Sequence, residues 1–388
     1  MQGRAVLQAP ETNAVGLRCF RCGGELAFSL RARTCPRCGD GAGGDPGVLD
    51  VLYDYDAAAP ALPALGTEGG VFRWRALLPV DGAPDALPAG GTPLVPPARL
   101  ARRFGLRALF LKDETRNPTR CLKDRATAVA LAAARASGER TLYCASAGNA
   151  AISLAGFCAH AGLECRVHVP AHASATRLAW LRRFGAEVHV SDGDYDRAYD
   201  QSEAEARTRG GYSRNCALNP LLVEGKKTAA FEVAEQLGWR VPDLVLAPVG
   251  DGCTLGAIGK GFREMVLAGR TDGVPRLVGV QAEGVRPLVD RFLGVDPPSP
   301  GDGTRAASIA VRRPRNALRL LRELEASGGT LLAVPDGEAD EAAELLAREA
   351  GIVAELTSAT GILSTWPKGS QYAQRYSAPY TTGSSISP

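Results

Sequence analysis

The sequence predicts an α/β protein whose parallel sheets are wound by helices, with a small metal-binding module in front. Three observations carry that fold class. From Ala108 onward short apolar runs alternate with longer amphipathic ones, and Gly/Pro-rich joints separate this body from a cysteine-bearing N-terminus. The third observation is size: 388 residues at 45% hydrophobic content suffice for two sizeable domains and an appendage. No stretch approaches the roughly 18 apolar residues of a membrane-spanning helix, and the opening "MQGRAVLQAPETNAVG" lacks the apolar core of a signal peptide. A cytoplasmic protein is therefore expected. The net charge of +3 is too small to demand nucleic acid or an anionic membrane as partner.

The first element is "LRCFRCGGELAFSLRARTCPRCGD", in which Cys19 and Cys22 form one C-x2-C pair and Cys35 and Cys38 another, each followed by glycine. Two such knuckles wrap a tetrahedral Zn²⁺, the glycines freeing backbone amides to approach the thiolate sulfurs. Four protein thiolates leave no open coordination position, so the zinc expected here is structural. A nucleic-acid-binding ribbon is disfavoured by the few aromatics and the lack of a basic run. The remaining cysteines stand singly in apolar segments, where a small buried thiol is the default. Beyond the knuckles, "GDGAGGDPG" and "AAAPALPALG" read as joints and place a boundary near residue 60.

In the body, strands are expected at 108–112, 141–145, 165–170, 187–191, 244–249, 276–281 and 330–335. Helical stretches fall between them at 121–137, 149–162, 174–184, 194–209, 224–238, 254–268 and 338–350. In such folds ligands sit beyond the carboxyl ends of strands, where loops run into helix N-termini. Three junctions stand out. "NPTRCLKDRA" offers Lys123 where an Asn-Pro turn gives way to an Ala-rich helix, in a chain with lysine only at 112, 123, 226, 227, 260 and 368. "CASAGNAAIS" places Ser146, Gly148 and Asn149 after a strand, where Asn149 serves equally well as a helix N-cap. "PVGDGCTLGA" places Gly250 and Gly252 before a helix, a turn able to cradle phosphate on backbone amides. An amine, an amide side chain and an anion nest together suit an aromatic aldehyde phosphate.

These residues carry a family likeness. Over roughly residues 17–360 the chain resembles threonine synthase and its relatives among the pyridoxal-phosphate enzymes of fold type II. The matching pieces are "GGTPLVPPARL", "LKDETRNPTRCLKDRA", "SAGNAA", "LNPLLVEGKKTAAFEVAEQLGW", "PVGDG" and "GVQAEG". The ribbon followed by "GVLDVLYDYDA" is also similar to the start of archaeal-type threonine synthases and of cysteate synthase. The resemblance implies a tryptophan synthase β-like architecture of two doubly wound sheets. It divides the chain into a ribbon and linker at 1–58, a large domain at 59–120 and 215–388, and a small domain at 121–214. It makes Lys123 the Schiff-base lysine and Asn149 the partner of the cofactor 3′-hydroxyl. Gly250, Asp251, Gly252, Cys253 and Thr254 become the phosphate loop, and Ser146, Ala147, Gly148 and Asn149 the cradle of the substrate carboxylate.

The implied activity is a lyase acting on an O-phosphorylated amino acid, with a homodimer as the expected assembly. Phosphohomoserine and water would give threonine; phosphoserine with sulfite or an amine would give a β-replacement. Arg120, Arg125 and Lys227 are the cations nearest the matched motifs, and so the candidates to meet the departing phosphate. The departures lie around the substrate. Where the family reads N-P-T-G-S-F-K-D-R this chain has Arg120, Cys121 and Leu122, and Ala147 and Ala150 stand where hydroxyls are usual. Glu355-Leu356-Thr357-Ser358 replaces E-P-x-S, and beyond Thr365 periodicity is lost. There "TTGSSIS" is a faint echo of the closing T-G-x-G-L-K motif, which would make Thr382 the partner of the pyridine nitrogen. An amino acid dehydratase and a degenerate, regulatory relative are the competing classes, the former for its similar "SAGN" and the latter for the altered tail.

Overall fold

The computed structural model describes residues 12–41, 45–64, 69–82, 86–295 and 301–363. The N-terminal unit is a three-stranded antiparallel sheet in which β1 (Ala14–Cys19) lies between β2 (Glu25–Leu26) and β3 (Leu49–Tyr53). The chain leaves it through α1 (Tyr55–Ala58), then crosses β4 (Leu94–Val95), α2 (Ala98–Arg103) and β5 (Leu111–Lys112). β4 and β5 pair antiparallel. The strand expected over 108–112 is thus shortened to its last two residues, because β4 offers only two partners.

From α3 (Lys123–Ala136) onward the alternation is regular. β6 (Thr141–Ala145), α4 (Asn149–Ala161), β7 (Glu164–Val169), α5 (Ala175–Arg183), β8 (Glu187–Val190), α6 (Tyr195–Arg209) and β9 (Tyr212–Ser213) follow. They build a parallel sheet of order β8-β7-β6-β9. A second parallel sheet, β10-β11-β12, comes from β10 (Leu244–Pro248), β11 (Arg276–Ala282) and β12 (Thr330–Val334). Its helices are α7 (Leu221–Gln236), α8 (Cys253–Leu267), α9 (Pro287–Phe292), α10 (Ala317–Ala326), α11 (Asp336–Ala350) and α12 (Leu356–Leu363). The strands β6, β7 and β11 are buried nearly throughout, as central parallel strands covered on both faces must be.

α3 is the central helix. Every residue from Asp124 to Ala134 is buried, and small side chains let its neighbours come close. At Gly225 of α7 a Cβ would meet the Arg125 carbonyl oxygen at 2.2 Å, so only glycine permits this crossing. Gly261 of α8 does the same against α7, where a Cβ would lie 2.6 Å from the Lys227 carbonyl oxygen.

The N-terminal unit is tied to this body through charge. Asp50 on β3 accepts from Lys260 Nζ of α8 and from Arg319 Nη1 of α10, both at 2.8 Å, and Tyr53 Oη donates to Glu224 of α7 at 2.9 Å. Burial opposes ionisation of Asp50, but these cations outweigh it and hold the carboxyl well below its usual range.

Candidate functional site

Residues following β6, β7, β9 and β10 line a cleft of about 2340 Å³, the placement that parallel sheets favour for ligands. Lys123 opens α3 on one wall. The loop before it is locked by Asp124, whose carboxylate accepts from the Thr119 amide at 2.7 Å and from Thr119 Oγ1 at 2.5 Å. Arg120, also on the cleft, sits in the left-handed region at φ 63°. The Lys123 carbonyl accepts from Thr127 Oγ1 at 3.0 Å and from Arg214 Nη2 at 3.1 Å, which fixes the first turn. Burial lowers the Lys123 pKa, and the neighbouring Lys226 and Arg214 cations add to the effect.

Across from it, Ser146 Oγ accepts from the Gly148 amide at 3.0 Å, and the Ser146 amide is anchored on the His168 carbonyl at 3.0 Å. The N-cap of α4 is Gly148, and no side chain caps the helix. Asn149 is therefore free of a capping task, and its Nδ2 donates to Glu355 Oε1 at 2.9 Å. Arg177 of α5 lies over the same loop: a Cβ on Gly148 would be 3.5 Å from its Nη1.

The third wall is the turn into α8. Gly252 has φ 93°, and a Cβ there would meet the Asn316 carbonyl at 3.0 Å. At Gly250 a Cβ would meet Val311 Cγ2 at 3.1 Å and the Ile309 Cα at 3.2 Å. No side chain caps α8, so the amides at Cys253 and Thr254 open on the cleft, backed by the helix dipole. Asp251 accepts from the Arg315 amide at 3.2 Å, and burial pushes its carboxyl up to about 6 against the pull of Arg315. A cradle that side chains would fill, an uncapped helix start and a lysine of lowered pKa are the donor set a pyridoxal phosphate requires, so the residues fit that cofactor.

Not every expected residue comes here. Arg120, Lys123, Ser146, Ala147, Gly148, Asn149 and the turn at 250–254 share the cleft, whereas Arg125 and Lys227 do not line it. Arg125 is fully buried against Glu114 and Glu232, at 2.8 and 2.7 Å. Lys227 is fully buried between Glu224 and Glu264. Both expectations are corrected: these cations are consumed by internal carboxylates. Thr382 lies outside the described residues. Sequence reasoning missed Arg177, Arg214 and Lys226, which line the cleft without belonging to a glycine-rich or Asn-Pro junction.

At the N-terminal unit the sulfurs of Cys19, Cys22, Cys35 and Cys38 lie within 4.8 Å of one another. Gly23 and Gly39, which follow the two pairs, both have φ 70°, the left-handed backbone that bends a chain around an ion. Four converging thiols suit a tetrahedral zinc.

Comparison with known proteins agrees with this geometry. Residues 86–375 match the family model described as "Pyridoxal-phosphate dependent enzyme". The threonine synthase of Methanosarcina acetivorans is 37% identical over 351 residues, covering 89% of this chain and 85% of that protein. Those of Methanocaldococcus jannaschii (36% over 354 residues, 89% and 85%) and Mycobacterium tuberculosis H37Rv (36% over 297 residues, 76% and 81%) are similar to it. Among solved structures, a fungal L-serine ammonia-lyase from Rhizomucor miehei aligns with a TM-score of 0.62 at 20% identity, covering 71% of this chain and 85% of that one. The serine racemase of Dictyostelium discoideum aligns with a TM-score of 0.60 at 18% identity, covering 73% and 88%.

Proposed function

The chain belongs to the family of pyridoxal-phosphate dependent enzymes, and from that premise we propose that it is a lyase of the threonine synthase kind, converting O-phosphohomoserine and water to threonine and phosphate. The observation that carries the reading is the meeting of Lys123, the Ser146–Asn149 loop and the uncapped turn at 250–254 in one cleft. Threonine synthases as relatives over 89% of the chain support the substrate class.

When bound, pyridoxal phosphate supplies an electron sink for negative charge at the α-carbon of an amino acid. The residues supply the rest. The turn at 250–254 receives the cofactor phosphate on backbone amides, and the Asn149 amide orients the ring. The Ser146–Asn149 loop, with Arg177 above it, holds the substrate carboxylate. Lys123 Nζ takes the proton from the α-carbon, and its lowered pKa keeps a larger share of the amine neutral and ready to accept it.

The same reading assigns a structural Zn²⁺ to Cys19, Cys22, Cys35 and Cys38. It takes 121–214 as a small domain against a large one at 59–120 and 215–388, and a homodimer as the assembly. No helix among the described residues is long and apolar enough to cross a membrane.

The test is phosphate release by purified holoprotein from O-phosphohomoserine and from O-phosphoserine, with and without sulfite, and with products identified by mass. Threonine from O-phosphohomoserine is the expected result. Turnover of phosphoserine alone would replace it with a β-replacement activity, and keto acid from unphosphorylated serine or threonine with a dehydratase. Borohydride reduction should fix the cofactor on the peptide bearing Lys123, and Lys123→Ala should abolish that adduct. An adduct on any other lysine would overturn the assignment.

A further inference from the structure

Two walls of the cleft come from different sheets. Tyr195, which opens α6 beside the first parallel sheet, lines one side, and the turn at 250–254 after β10 lines another. The segment 313–316, which precedes α10, joins them from behind. Its Asn316 amide donates to the Asp251 carbonyl and its Arg315 amide to Asp251 Oδ1, both at 3.2 Å. The Asn316 carbonyl oxygen lies 3.0 Å from where a Cβ on Gly252 would stand. The turn therefore rests on the backbone of Arg315 and Asn316.

The Arg315 side chain reaches the other wall. Its Nη1 donates to Asp196 Oδ1 at 2.7 Å and its Nη2 to Asp200 Oδ1 at 3.3 Å, while the guanidinium lies 4.0 Å from the centre of the Tyr199 ring. Residues 196, 199 and 200 share one face of α6, as spacings of three and four require. One planar fork thus grips a full turn of the helix that presents Tyr195. The Arg315 side chain is only 5% exposed, so solvent and salt screen this grip little. Neither Arg315 nor Asp196 lines the cleft. We propose that Arg315 is a positioning residue for the cofactor phosphate: it sets α6 against the turn at 250–254 and so aims the Cys253 and Thr254 amides through contacts made outside the cleft. The proposal rests on the reading of that turn as the seat of the pyridoxal phosphate.

The test titrates cofactor-free protein with pyridoxal 5′-phosphate and with pyridoxal, which has the same aldehyde and ring but no phosphate, and reads the absorbance of the bound aldehyde. Wild type is compared with Arg315→Gln, Asp196→Asn, their double variant and Arg313→Gln. Arg315→Gln should weaken pyridoxal phosphate by about tenfold, the worth of one misaimed bond to phosphate, and leave pyridoxal unchanged. Asp196→Asn should act in the same direction from the far end of the contact. The double variant should be no weaker than Arg315→Gln alone, because both substitutions break one link. Arg313 meets Asp200 at 3.0 Å from the exposed side, and Arg313→Gln should leave both affinities unchanged. Equal weakening of the two aldehydes by Arg315→Gln would overturn the proposal, since a general loss of structure does not discriminate by phosphate. Additive losses in the double variant, or an Arg313→Gln loss as large as that of Arg315→Gln, would overturn it too. Circular dichroism checks that each variant folds, and if Arg315→Gln does not, the two aldehydes on Asp196→Asn decide alone. Wild type binding both aldehydes equally would instead remove the turn as the phosphate seat, and the role of Arg315 with it.

Discussion

Asn149 at the start of α4 donates through Nδ2 to Glu355 Oε1 at 2.9 Å, joining two segments 206 residues apart. The contact holds the amide over the cleft with a partner that a ring hydroxyl can replace. Asn149→Ala should therefore weaken cofactor binding by about five- to tenfold, the worth of one ordinary hydrogen bond. Titration of cofactor-free protein with pyridoxal phosphate checks this. Unchanged affinity would show that the amide serves only its contact with Glu355.

Arg120 carries the chain through φ 63°, at the position where the N-P-T-G-S-F-K-D-R pattern of the resembling family has glycine. A side chain in the left-handed region costs about 1 kcal/mol or more, which glycine avoids. Arg120→Gly should raise stability by about 1 kcal/mol in denaturant unfolding. Because Arg120 is exposed on the cleft, the same variant can lose affinity for anionic ligands. A destabilised variant would mean that the contacts of the arginine side chain outweigh the strain in its backbone.

Much of this site was legible because its features are local. A Gly-rich turn after an apolar run, and a lysine after Asn-Pro, are read from a few neighbouring residues, and the expected helices and strands around them appear within a few residues of their expected bounds. What was illegible depended on distant partners. Arg125 reads as a cation for the departing phosphate until Glu232, 107 residues later, is brought to 2.7 Å from it. Lys226 and Lys227 are indistinguishable in "EGKKT", and only the rotation of α7 about its axis decides which one faces the cleft. The shortened strand at 111–112 has the same cause, since its partner β4 lies within a Gly/Pro-rich run that carries no periodic signal.

Glu232 makes stability depend on acid. Burial raises its carboxyl, but Arg125 and Lys112 overcome that and bring it down to about 2, from an ordinary 4.5. A carboxyl depressed in the folded state stabilises fully above its unfolded value and loses the contribution as pH falls from about 4.5 toward 2. The contribution is on the order of 3 kcal/mol. Glu232→Gln should cost about that much at pH 7 and flatten the acid limb between pH 5 and 2, measured by urea unfolding across pH. A parallel acid limb in the variant would place the titrating group elsewhere.

The N-terminal unit should be coupled to the catalytic body, not merely tethered to it. Arg319 of α10 reaches both the Asp50 carboxylate at 2.8 Å and the Leu49 carbonyl at 2.6 Å, while Lys260 reaches Asp50 and the Val51 carbonyl at 2.8 and 2.7 Å. β3 is thus held by two helices of the body, and its pairing with β1 connects it directly to Cys19. Asp50→Asn removes one partner from buried cations and should destabilise the whole protein by about 3 to 5 kcal/mol. Metal analysis should find one zinc per chain, and stripping it with a chelator should lower the temperature at which the bound cofactor is released, because the loss at the four cysteines passes through β1 and β3 to α8 and α10. If the chelated protein released cofactor at the unchanged temperature, the ribbon and the body would be independent units, and the Asp50 network would only position one against the other.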